Sequence, residues 1–455
     1  MTSKRKSLRR AEILVFCLLL SISYTIVTGS PQERDQNYRL SSQGPMVTLW
    51  EFFYGGTGDD AARGIIQSSD GGFAIVGHTT SYGAGDSDGW LIKTDTNGII
   101  EFNKTYGGVS SDSFSAIFQT PDTGYLLAGA TQSFGNGAND FWIVKTDNNG
   151  DPEWNKTFGG SGSDDFDRGI QTSDGGYILT GRYIPSPDAS PDAWLLKLDS
   201  TGTEEWNATY GGIRFDRTFS VIEVSSGGYL AIGRTGNSPS DPYGHDLIIY
   251  RTDANGTELW NQTYGTSDMD LGYDLIETSD GGFFLWGNSF VSGYDNELWL
   301  IKIFENGTKE WDKYFSGNFN DWANLILEVD DGYLLMAHTK SYGPGNGDNW
   351  LLKIDNDGNV LWNQTHGYES DDEFAWDMIQ SSDGNFVLAG RTVSKGAGGV
   401  DAWLFKLELD EDWMPPTTGA SSFVTGPVFC VMLLILAFRR KRKNSRAAGI
   451  RSEKK

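Results

Sequence analysis

The chain has 455 residues, of which 58 are Gly, 13% are aromatic and two are Cys. With 13 Pro, this composition excludes a disordered or collagen-like chain and a disulfide scaffold, and points to a turn-rich all-β protein. The formal charge of −25 disfavours nucleic acid as a partner, since one polyanion would have to approach another.

The charge is unevenly spread. Residues 1–12 carry five Lys/Arg and residues 439–455 carry nine, with one Glu each, which leaves 22 basic against 59 acidic residues and a balance of −37 between them. Cations, basic proteins and neutral glycans stay compatible with such a body. Residues 1–29 join a basic start to an apolar run and then to small residues at Thr28, Gly29 and Ser30, the pattern of a secretory signal peptide. Residues 30–49 form a lead-in. Cys17 and Cys430 lie in the two terminal apolar segments, so the body between them is expected to have no thiol chemistry.

From residue 50 a unit of about 52 residues recurs. A basic residue marks it at Lys93, Lys145, Lys197, Arg251, Lys302, Lys353 and Lys406, and an aromatic at Trp50, Phe102, Trp154, Trp206, Trp260, Trp311 and Trp362. A third mark, after Ser-Asp-Gly-Gly or a close variant, is Phe73, Tyr125, Tyr177, Tyr229, Phe283, Tyr333 and Phe386. Each unit reads as four short strands joined by turns: a (64–68 in the first copy), b (73–79), c (90–95) and d (101–107). Between c and d an Asp-x-x-Gly turn supplies the positive φ that a tight hairpin needs. Strand c is apolar without alternation, as when both faces are covered. Twelve of the 16 Trp fall at one position on c and one on d, which assigns them to packing between units.

Seven such units predict an all-β, seven-bladed β-propeller over residues 50–408. The seventh has a, b and c, but Pro415 stands where the aromatic of d is due. The offset copy at Trp50 is therefore expected to supply d and close the ring, because an unpaired edge invites aggregation. Residues 409–419 read as a Pro/Thr connector and 420–438 as a transmembrane helix. Residues 439–455 form a basic tail that the positive-inside rule holds in the cytoplasm, so the expected location is the cell membrane, single-pass, with the propeller outside.

Two rings of acids recur with the unit. One is Asp60, Asp112, Asp164, Asp216, Asp270, Asp321 and Asp372 in the d–a loops; the other is Asp88, Asp140, Asp192, Asp246, Glu297, Asp348 and Asp401 at the ends of the b–c loops. Strand polarity places both on one face, the top. Two readings stand: carboxylates fixing loop backbone, which is favoured, and Ca²⁺ binding, for which Asp86 and Asp88 come nearest to a ligand run. No cofactor is otherwise expected.

If recurring residues serve the fold, function belongs where units differ. Units three and four have Pro-rich b–c loops, and nearby stand Arg182, Tyr183, Arg214, Arg217, Arg234, Tyr243 and His245. They form a candidate top-face patch of Arg forks and aromatic rings suited to a carboxylated sugar or an acidic peptide, with charge neutralisation of ring Asp as the bland alternative. His78 and His338 at the Arg182 position of units one and six are read as surface polar residues. Sequons occur at Asn103, Asn155, Asn207, Asn255, Asn261, Asn306 and Asn363, five of them on strand d.

Residues 50–408 resemble the SDGGY…WLxKxDxxGxxxWxxTYGG repeat of bacterial and archaeal secreted or surface proteins, and the Asp-x-x-Gly…Trp portion is similar to quinoprotein-type propeller repeats. Pro415-Pro416-Thr417-Thr418-Gly419, the apolar stretch and the basic tail resemble the sorting signals read by sortase-like enzymes. The resemblance implies a fold and a location. The expected function is a monomeric, membrane-anchored surface module that binds a surface glycan or protein; the alternative is an extracellular glycan hydrolase or quinoprotein-like oxidoreductase on the same scaffold.

Overall fold

The computed structural model describes residues 44–410 apart from 239–240, 267, 291–295, 316, 318 and 370–371, with no side chain described over 237–243. The segments 1–29 and 420–438, the sorting-like Pro415–Gly419 run and the basic tail lie outside the described residues. Among those described, no helix is long and apolar enough to cross a membrane.

Twenty-eight strands, β1 to β28 in chain order, form seven four-stranded antiparallel sheets. The first sheet shows the repeat: β2 (Asp60–Gln67), β3 (Phe73–Thr79), β4 (Asp88–Thr94) and β5 (Ile100–Tyr106) are its strands a, b, c and d. Strand b has the expected bounds, and c and d lie within two residues of them. Strand a begins four residues earlier than expected. Its opening residues are masked in the sequence by a β-bulge, seen as a register shift between Ala62 and Gly64.

The last sheet is ordered β1-β28-β27-β26. Here β1 (Met46–Tyr54) runs antiparallel to β28 (Asp401–Leu409), from Met46 opposite Leu409 to Tyr54 opposite Ala402. The opening segment therefore supplies the missing strand d. It is longer at its start than 50–54.

Seven buried clusters hold the sheets together, each shared by two neighbours in the ring. Ala74, Val76 and Leu91 of the first blade meet Phe114, Leu127 and Trp142 of the second. Ile75, Trp90 and Ile92 of the first blade meet Val387, Ala389 and Leu404 of the seventh, with Tyr54 from β1. Leu91 and Ile92 thus face opposite neighbours, which explains why strand c is apolar throughout. Because the seventh blade packs on the first, the ring is closed.

The strand-c tryptophans, such as Trp90, Trp142 and Trp194, are buried, while most strand-d tryptophans are half-buried. The latter cover the c–d turn of the next blade. A side chain on Gly202 (φ 71°) would collide with Trp154, so glycine there meets both the turn and the contact.

Below the blades, each strand-c lysine is buried beside an acid of its own a–b turn. Lys93 reaches Asp70 and Glu101, both at 2.8 Å, and Lys197 reaches Asp174 and Glu205, both at 2.9 Å. In blade four the acid is replaced by Ser226 and the lysine by Arg251, whose guanidinium bonds Ser226 Oγ at 3.2 Å and the Gly227 carbonyl. The basic residue that marks the repeat is a structural tie.

Candidate functional site

Strand a is the innermost strand of every blade, and in blades two, four, six and seven its burial alternates from its first residue: Asp112 and Phe114 are buried, Ser113 and Ser115 half-exposed. The half-exposed positions face the axis. Each strand a also carries a bulge at its fourth position, or its third in blade three, the register shifting across Arg63, Ser115, Asp167, Phe219, Tyr273, Asn324 and Trp376. A bulge re-aims one side chain out of the ladder. All seven bulge residues line a single axial cavity of about 520 Å³.

Above this tier the cavity wall includes Arg217, Trp322 and Phe374 from the second position of strand a, with His338, Lys340, Asp372 and Arg391 alongside. Of the four Trp outside the packing positions, Trp322 and Trp376 are in this wall. One side is an aromatic chain: the Trp322 ring centroid is 5.5 Å from His338, His338 is 5.1 Å from Phe374, and Phe374 is 4.9 Å from Trp376. His338 is buried rather than a surface residue, and burial holds its imidazole down at about 4, so it is neutral at pH 7. Half-buried His78 is lowered to about 4 as well, first by burial and then by Arg63.

Facing the aromatic chain is an ion network from blades three and four. Arg217 grips Asp167 with two 2.7 Å bonds, and Arg182 lies 2.6 Å from Asp165. Arg234 stacks 4.5 Å from the Phe215 ring centroid. The deeper Arg168 crosses the axis, reaching Asp274 at 3.3 Å, Asn324 Oδ1 at 3.2 Å and the Trp376 carbonyl at 3.3 Å.

The candidate patch is only partly assembled. Arg182 and Arg234 do converge on Phe215, with Arg217 over the neighbouring Phe219, but the acids that occupy Arg182 and Arg217 are strand-a residues and not ring Asp. Arg214 bonds the Gly236 carbonyl at 3.0 Å, Tyr183 packs on Trp194, and His245 packs edge-on against Phe215. The side chain of Tyr243 is outside the described residues. Residues 236–238 and 241–245 are not loop but strand, the ends of β15 (Tyr229–Ser238) and β16 (Asp241–Thr252), which pair with each other. Of the whole patch, Arg217 alone lines the cavity.

The acid rings tie loops to strands. Asp112 accepts from Gly108 N at 2.9 Å, from Ser133 Oγ at 2.7 Å and from Thr131 Oγ1, and Asp60 and Asp321 repeat this arrangement. In blade seven the ring position belongs to Glu373, which accepts from Tyr368 N and Thr392 Oγ1, and not to Asp372. The loop there is one residue longer, so a fixed count of ten from Trp362 lands one position early.

In the second ring, Asp88 accepts from Ala84 N at 2.8 Å and Gly85 N at 3.0 Å, while Asp86 is exposed. Among the described residues no group of three metal-ligating side chains converges. Replacing Asp112 by Ala would orphan three donors and is expected to cost about 2 kcal/mol. Calorimetric melting with and without Ca²⁺ checks this, the ion being expected to shift neither the native protein nor the variant.

The bulge tier was readable in principle. Three residues after each ring acid the sequence holds Arg, Ser, Asp, Phe, Tyr, Asn and Trp in turn, and one residue after it Ala, Ser, Asp, Arg, Leu, Trp and Phe, so strand a varies where strands b, c and d repeat.

No family model matches the chain. It is 22% identical over 240 residues to the regulatory protein FlaEY of Caulobacter vibrioides, a match spanning 47% of this chain and 25% of that protein. Among solved structures it is similar to puromycin hydrolase (12% identity, TM-score 0.49, 73% of this chain and 50% of that one). It is also similar to the β-propeller domain of the Trilobed protease from Pyrococcus furiosus (7% identity, TM-score 0.44, 82% and 100%). These likenesses concern the fold.

Proposed function

We infer that the protein is an exported binding module, held at the cell membrane by residues 420–438, whose ligand enters the axial cavity from the top face. The observation that carries this is the coincidence of three properties at one tier. The seven bulge residues line one cavity, they come from all seven blades, and they differ from blade to blade where the surrounding scaffold repeats. A scaffold needs no such divergence, whereas recognition requires convergent, dissimilar groups.

Export is supported by the terminal sequence patterns, by the lack of Cys in the propeller, and by sequons at exposed Asn103, Asn155, Asn207 and Asn261 on outer strands. Binding is favoured over catalysis because the cavity's Asp167 and Arg217 are bonded to each other and its histidine is neutral and buried. Probing a glycan and peptide array with the full-length protein in detergent tests the reading. Ligands should be captured by the native protein and lost, by about tenfold or more in affinity, in Trp322→Ala, with no product released from them. Capture untouched by Trp322→Ala would remove the cavity, and turnover of a captured ligand would replace binding with catalysis.

A further inference from the structure

This step rests on the binding reading above and assigns the chemistry of the ligand. Two guanidiniums in the axial cavity lack a counter-ion. Arg63 of blade one and Arg391 of blade seven each place Cζ 5.3 Å from the Trp376 ring centroid. The ion pairs at the axis belong to Arg168, Arg182 and Arg217. Among the described residues, Arg63 and Arg391 have none. The Nε atoms of both are buried without a hydrogen-bond partner. Burial and then the charge of Arg391 hold the Arg63 guanidinium below its usual range against the opposing pull of Asp167, so the two cations are close enough to oppose each other.

Elsewhere the buried cations have an acid partner, Arg251 of blade four being the exception. All six strand-c lysines are buried beside an acid, with Lys–Asp separations of 2.6 to 3.0 Å. A protein with 61 acidic residues has supplied a carboxylate to each of those lysines, whereas Asp167 and Asp372 of this cavity form no ion pair with either arginine. Cation–π contact with one shared Trp returns only about 0.5–2 kcal/mol per arginine, less than the cost of bringing two like charges out of water. The missing anion is therefore expected to come with the ligand.

We propose that Arg63 and Arg391 form the seat for the carboxylate of an acidic sugar, whose ring lies against the aromatic wall of Trp322 and Phe374. Planar guanidinium forks match a carboxylate, and half-buried aromatic faces in a cavity that also holds the hydroxyl of Ser115 match the apolar faces and hydroxyl edges of a sugar ring. A cavity of about 520 Å³ holds a terminal sugar or two, and a folded partner surface does not enter it. Lys340, exposed at the rim 5.4 Å from the Trp322 ring, adds attraction for the incoming anion.

The experiment is calorimetric titration of the full-length protein in detergent with an oligosaccharide ending in a uronate. Its methyl ester, a sulfated or phosphorylated counterpart and an acidic peptide are run in parallel. The uronate should bind at least about tenfold tighter than its ester. Arg63→Gln with Arg391→Gln should remove that preference while leaving the melting temperature equal or higher, since two uncompensated charges are relieved. A purely structural role would lower it.

Equal affinity for acid and ester overturns the seat, as does preference for the sulfated, phosphorylated or peptide ligand. In each of those cases the binding reading survives, provided Trp322→Ala still abolishes capture. If no ligand responds to any cavity substitution, the binding reading fails with it.

Discussion

Deleting residues 46–54 is expected to lower the melting temperature further than removing any other single strand edge, and to make the protein aggregate. The segment contributes an antiparallel ladder from Met46–Leu409 to Tyr54–Ala402. Met46 joins the buried cluster between blades six and seven, and Tyr54 the one between seven and one. Burial of two such side chains is worth about 1.5–3 kcal/mol each. Tyr54 also donates to the Gly98 carbonyl of blade one at 2.6 Å, and half-buried Trp50 and Phe52 cover the same turn.

The total loss should be about 5 kcal/mol or more, a large part of the stability of an ordinary domain. Without β1, the edge of β28 offers unpaired backbone groups to other chains. Scanning calorimetry and light scattering check both effects, and a peptide of residues 44–56 added in trans should restore part of the lost stability. An unchanged melting temperature would mean that the ring does not depend on this closure.

The sequence displayed the scaffold because its repeating positions are packing positions. Lys93 and its equivalents, the strand-c tryptophans and the turn glycines recur since every blade faces the same problem of covering its neighbour. The site was harder to see for the same physical reason. The bulge at Arg63 and its counterparts breaks the period-two pattern that announces a strand, so the first residues of strand a read as loop.

A Pro-rich stretch reads as loop by composition, yet 236–238 and 241–245 are paired strand residues of β15 and β16. The offset from Asp372 to Glu373 has a similar cause: a loop insertion is invisible to counting but obvious to a carboxylate that must reach Thr392 Oγ1.

Replacing Arg168 by Met should destabilise the protein by about 3–5 kcal/mol at neutral pH, far more than a half-exposed arginine normally costs. Arg168 extends from blade three across the axis to Asp274 of blade five, Asn324 of blade six and the Trp376 carbonyl of blade seven. Asp274 is itself shared, accepting from Ser220 Oγ at 2.7 Å and Ile326 N at 3.0 Å. Nearby Asp377, which accepts from Ile65 N at 2.9 Å, is pushed up to about 6 by burial, even with Arg168 favouring its ionised form.

Removing the cation leaves two carboxylates without their opposite charge and raises the folded-state pKa of Asp377 further above its unfolded value near 3.8. A carboxyl whose pKa is raised by folding holds its proton better in the native state, so stability falls as pH rises from the unfolded pKa through the folded one. The cost of Arg168→Met is thus expected to be largest at pH 7.5 and to shrink towards pH 5, where Asp377 takes up a proton. Melting temperatures of native protein and variant across that range check the sign, and Arg168→Met combined with Asp377→Asn should recover much of the loss at pH 7.5. A penalty independent of pH would show that Arg168 acts through packing alone, and that the blades are not joined electrostatically across the axis.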